Sequence, residues 1–111
     1  MLLALAACSR QPAEPTGIYR LGVAENSMVL DVRASGDYVL QVDSPGRNTD
    51  EIRGRWERES KGGIDVTFQG IVWRGNEPEP APGFWPVQFE NDGGICLDGE
   101  GLLCFTKDRN A

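Results

Sequence analysis

Apolar residues recur at every second position along most of this chain, a period that fits strands and not amphipathic helices. Met28, Leu30 and Val32 alternate with Val29, Asp31 and Arg33. Tyr38, Leu40 and Val42 alternate with Val39, Gln41 and Asp43, and Ile64, Val66 and Phe68 with Asp65 and Thr67. Segments of this kind bury one face and wet the other. Turn-forming clusters separate them: Ala34-Ser35-Gly36-Asp37, Ser44-Pro45-Gly46 and Lys61-Gly62-Gly63. The 14 glycines and 7 prolines therefore read as punctuation between short strands. The pattern predicts strands near 17–22, 27–33, 38–43, 52–58, 63–69, 71–74, 84–90, 94–98 and 102–107. Short links join neighbours, so the expected fold is all-β, an antiparallel up-and-down meander of about eight strands. It should close as a small barrel or a two-layer sandwich, because open edges invite aggregation. A single domain over residues 17–107 accommodates this, with a polar tail at 108–111.

The same parity assigns faces. Trp56 shares its side with Ile52 and Gly54, and Trp85, Val87 and Phe89 form a second inward series. With Phe68 and Phe105 these rings are bulky enough to fill a small barrel. Phe84 falls on the opposite side, beside Arg74 to Gly83, the longest stretch without alternation. Its prolines remove backbone donors, so it reads as an irregular connector across a barrel end or sheet edge. Trp73 and Phe84 flank it as a candidate binding patch, although packing is the commoner role for such residues.

The apolar run Met1 to Ala7 ends in Leu5-Ala6-Ala7-Cys8, which resembles the lipobox of bacterial lipoproteins. The resemblance implies that the Cys8 thiol receives a diacylglyceryl group, that residues 1–7 are removed, and that the new N-terminus is acylated. A signal segment carries a basic n-region; no Lys or Arg precedes Arg10, so a translation start upstream of Met1 is expected. Residues 8–16 would be the lipidated cysteine and a polar tether, Ser9 to Thr16 reaching at most about 25 Å. No apolar run is long enough to span a bilayer, so the acyl chains would be the membrane attachment. In that family Asp at the second mature position favours the inner membrane. Ser9 stands there, which points to the outer membrane, facing the periplasm.

The other two cysteines lie in ICLDGEGLLCF, residues 95–105. A three-residue turn at Gly99-Glu100-Gly101 sets Leu97 opposite Leu103 and Cys96 opposite Cys104. A directly opposed, non-hydrogen-bonded pair has Cα atoms about 4.5 Å apart, within reach of a disulfide worth roughly 2–3 kcal/mol. The envelope would preserve such a bond, whereas a reducing compartment would leave two thiols. With Ile95, Leu97, Leu103 and Phe105 facing inward, the bridge would lie on the outer face.

The formal charge is −6, and there is no histidine. Through Lys61 there are eight basic and nine acidic residues; beyond it, three and eight. That balance argues against nucleic acid as a partner. The local cluster Arg53, Arg55, Arg58 and Lys61 could meet anionic headgroups or an acidic envelope protein; a solvated strand face is its more ordinary role. Without histidine, Ser–His and Cys–His nucleophiles and imidazole metal sites are out of reach. No phosphate-cradling loop or calcium-loop oxygen series occurs. No enzymatic activity, cofactor or metal is expected.

Three further segments, Thr16-Gly17-Ile18-Tyr19, Gly36-Asp37-Tyr38-Val39-Leu40 and Gly54-Arg55-Trp56, resemble the meander of small lipocalin-like bacterial envelope lipoproteins. That group includes the copper-resistance and envelope-stress lipoproteins. Their copper-associated CxxC is absent here, so no metal role carries over. Cys8, the strand pattern and the missing catalytic residues together lead to the expectation of a lipid-anchored, non-catalytic interaction or structural module. The alternatives are a binder of a small apolar ligand inside a barrel and an inhibitor of a cell-wall hydrolase.

Overall fold

The computed structural model describes residues 14–23, 26–43, 46, 49–59, 61–75, 77–97 and 103–108. The lipobox and Cys8, the Ser44-Pro45 half of one predicted turn, and the Gly99-Glu100-Gly101 turn lie outside them. Eight strands follow one another: β1 (Gly17–Val23), β2 (Asn26–Val32), β3 (Asp37–Asp43), β4 (Asp50–Arg58), β5 (Val66–Arg74), β6 (Glu77–Val87), β7 (Ile95–Cys96) and β8 (Cys104–Lys107). All pairs are antiparallel, in the order β6-β5-β4-β3-β2-β1-β8-β7. This up-and-down meander forms one strongly curled half-barrel sheet. The sheet wraps round through the β8–β1 pair, and its two free edges, β6 and β7, are successive in the chain.

The period-two pattern becomes tiers across strands. Tyr19, Leu30, Leu40 and Ile52 are successive cross-strand partners, and each is buried. Trp56, Phe68 and Trp85 form another row. The curl brings β8 against β5 and β6: the Phe105 ring lies 6.3 Å from Trp85 and 6.4 Å from Trp73, centroid to centroid. Tyr19 stacks on Phe89 at 6.3 Å. Aromatic rings thus pack together on the concave side, at separations where edge and offset contacts are favourable.

Two expectations fail in the β5–β6 region. The separate strands expected at 63–69 and 71–74 are one strand, Val66–Arg74, interrupted only by a register shift between Gln69 and Ile71. Gly70 sits there with φ +88°, a conformation open to glycine at little cost. The Pro-rich stretch expected to be an irregular connector is itself strand, part of β6. Pro78 and Pro80 pair with Trp73 and Ile71. A proline fits an antiparallel ladder only where its missing N–H points away from the partner, and residues two apart point the same way. Both therefore face the free edge. The sequence does not reveal that β6 is an edge strand, and only an edge strand tolerates this.

The domain is also larger than the alternation implies. Pro15, assigned to the tether, is fully buried, and its carbonyl accepts a 2.7 Å bond from the Tyr19 hydroxyl. Asp108, assigned to the tail, donates its N–H to the Ile18 carbonyl at 2.7 Å.

One glycine explains how the sheet bends. A Cβ on Gly54 would lie 2.1 Å from the Gln69 carbonyl oxygen and 2.8 Å from the Tyr38 hydroxyl. The gap lets Tyr38, on β3, reach across β4 and donate to that carbonyl on β5 at 2.8 Å. The β4–β5 ladder ends at this residue, in the Arg55–Gln69 pair. Beyond it β5 and β6 continue as a two-stranded ribbon. Ile71 of the ribbon is buried in the core, and Trp73 packs 5.0 Å from Trp85.

Candidate functional site

The outward residues of β1 to β4 form two rows, Ile18–Asp31–Val39–Arg53 and Arg20–Val29–Gln41–Glu51. With Arg33 they line a shallow depression of about 190 Å³. Ile18, Val29 and Val39 make an apolar floor. Val39 faces away from the core yet is only 3% exposed, so its cover comes from the surrounding long side chains.

The rim alternates in charge. Arg33 bonds Asp31 at 3.1 Å and approaches Asp37 at 3.5 Å; Arg53 bonds Glu51 at 2.9 Å; Gln41 donates to Glu51 at 3.3 Å. Arg20 turns to Asp108 at 3.0 Å. The hydrogen bond to Asp31, then that carboxylate's charge, holds the Arg33 guanidinium above its ordinary value. Hydrogen bonds from Arg53 first and Gln41 second hold Glu51 below the usual carboxylate range. The Ser35 hydroxyl, more than Arg33, does the same for Asp37. These groups stay ionised at neutral pH and are matched in pairs, an arrangement suited to contact and not to proton transfer.

Of the sequence-predicted residues, Arg53 stands on this rim. Arg55 lies one pair further along the same face, opposite Asp37, with its guanidinium against Gly36. It has no ion-pair partner among the described residues.

Trp73 and Phe84 are not brought together. Trp73 turns into the aromatic layer, where its indole nitrogen is buried without a hydrogen-bond partner. Phe84 stands outward on β6, 70% exposed, and is the one such large hydrophobic among the described residues.

Cys96 and Cys104 are joined by a disulfide between directly opposed residues of β7 and β8, with Cα atoms 3.9 Å apart. Leu97 donates to the Leu103 carbonyl at 2.8 Å, as the predicted register requires. Ile95 and Phe105 are buried on the concave side, and the bridge lies on the opposite face. A second, more open depression of about 400 Å³ runs beside it, lined partly by Glu90, Asp92 and Thr106. Asp92 already accepts the Gly94 N–H at 2.9 Å. Among the described residues no group of His, Cys, Asp or Glu is placed to hold a metal.

Sequence reasoning overlooked the apolar floor of the β1–β4 depression. Its signal was available: Ile18, Val29 and Val39 interrupt an otherwise polar outward parity. No family model, curated protein or solved structure matches this chain.

Proposed function

We propose that this chain is a lipid-anchored protein of the bacterial envelope whose half-barrel is a non-catalytic interaction module. The carrying observation is the division of its three cysteines. Two are joined to each other, and the third, Cys8, closes an apolar run in a lipobox-like setting. A structural disulfide suits an oxidising compartment, and the same compartment is where an acylated Cys8 would place the domain. Among the described residues no helix is long and apolar enough to cross a membrane, so acyl chains are the attachment in this reading. Ser9 favours the outer membrane.

An envelope protein is the partner in this proposal, met by the depression on β1 to β4 with Arg53 and Arg55 at its margin. The concave side is filled by rings such as Phe68, Trp85 and Phe105, which supports an outward-facing role over retention of a small ligand. No cofactor or metal enters the proposal. Metabolic labelling with a palmitate analogue tests the anchor. Incorporation into the wild type and none into Cys8→Ser is expected; equal incorporation in both contradicts it.

A further inference from the structure

Residues 14–16 are fastened to one rim of the half-barrel from three strands. Tyr19 of β1 bonds the Pro15 carbonyl at 2.7 Å, and Arg58 of β4 bonds the Glu14 carboxylate at 3.1 Å. Lys107 of β8 bonds the Glu14 carbonyl. Strand direction alternates, so this rim also carries the turn at 33–36, the turn at 61–65 and the loop at 88–94. Gly46 and Gly75 mark the opposite rim.

Six residue steps separate Cys8 from Glu14, so the chain between them spans at most about 20 Å. Seven-residue strands such as β1 put the opposite rim roughly 20 Å further away. We infer that the rim bearing Glu14 and Pro15 faces the bilayer holding the acyl chains of Cys8, and that the rim bearing Gly46 and Gly75 faces away. The inference rests on the lipid-anchor reading. The occupant is a lipid headgroup surface, and the fastening of residues 14–16 sets the orientation.

Adhesion does not set it. Among the described residues of this rim, Glu14, Glu59, Asp65, Glu90, Asp92 and Asp108 outnumber Arg33, Arg58, Lys61 and Lys107, a balance that disfavours anionic lipid. Nor do the sides of the barrel provide a second anchor. Phe84 alone stands out among the described large hydrophobics, and one ring gives little interfacial hold. The depression on β1 to β4 then lies on the barrel wall, open to a partner in the same compartment.

The disulfide leaves Cys8 as the one thiol available for coupling, so the full chain can be joined through it to a maleimide-headgroup lipid in phosphatidylcholine nanodiscs. A gadolinium-chelate lipid in the same discs then broadens nearby amide signals. Loss of the Gly36, Gly62 and Gly93 signals with retention of Gly46 and Gly75 is expected. Equal losses at both rims, or greater losses at Gly46 and Gly75, overturn the orientation. Inserting about twenty Gly/Ser residues before Glu14 should erase the contrast, because a flexible linker's reach grows with the square root of its length. A contrast that survives the insertion shows adhesion at work and also overturns the inference. Coupling is chemical, so failure of cellular labelling at Cys8 would remove the anchor reading without deciding this geometry.

Discussion

The sheet from β2 to β4 and the ribbon that β5 and β6 form beyond Gly70 use the same antiparallel ladder to different ends. In the first, each strand pairs on both sides and the register runs unbroken, Leu30 against Leu40 against Ile52. Every residue there supplies a donor and an acceptor, and every one but Gly54 a side chain of fixed face. In the second, β5 has left β4, Gly70 shifts the register, and Pro78 and Pro80 strip donors from the outer side of β6. A strand so stripped cannot template another. β7 is two residues long, and the sheet remains open between β6 and β7. The half-barrel therefore ends where backbone donors run out, while aromatic packing carries the contact across the opening.

Substitutions at the junction between the two regions should have the largest effects. Gly54→Val should have the largest effect, at least about 3 kcal/mol of destabilisation, because no rotamer relieves a backbone oxygen 2.1 Å from its Cβ. Urea denaturation would measure it, and a loss below 1 kcal/mol would show that β5 can move away from β4 freely. Replacing both Cys96 and Cys104 by Ser should cost roughly 2–3 kcal/mol on a loop-entropy argument. Hydrogen exchange should then rise in β7 and β8 well before β2 to β4; uniform acceleration would mean that the disulfide supports the whole sheet.

Tyr38→Phe should be milder, about 1 kcal/mol, for loss of one hydrogen bond to the Gln69 carbonyl. It also has a pH signature. Burial raises the Tyr38 phenol from 10.0 to about 12. The folded state thus holds this proton more tightly than the unfolded chain, so its contribution is complete below pH 10 and fades as pH climbs towards 12. Tyr38→Phe should flatten that alkaline decline in chemical-denaturation profiles; an unchanged slope would place the titration elsewhere. Arg53→Ala should change stability least, by under about 0.5 kcal/mol, since its pair with Glu51 is exposed. A larger loss in the same assay would make the charged rim part of the fold and not a free surface.

Much of the regular region was legible because side-chain parity survives wherever the ladder is unbroken. The inward series through Tyr38, Leu40, Trp85 and Val87, and the opposed cysteines of the last hairpin, follow from counting by twos. The ribbon was not legible in this way. A run of prolines reads as a breaker until the strand is known to lie at an edge, and edge position is a property of the whole sheet. Gly54 was visible as part of Gly-x-Trp, but its purpose needs Tyr38 and Gln69, brought from two other strands. Pro15 looked like tether because a lone apolar residue among polar ones carries no period. The depression on β1 to β4 was half visible: Arg53 and Arg55 were singled out by charge, while the floor beneath them depends on three strands standing side by side.

Intact-mass and peptide mass spectrometry of the protein from bacterial membranes reads the state of all three sulfurs at once. The predicted result is a mature chain beginning at an acylated Cys8, with Cys96 and Cys104 recovered in one disulfide-linked species. An unmodified Cys8 thiol together with two unbridged thiols at 96 and 104 would contradict it.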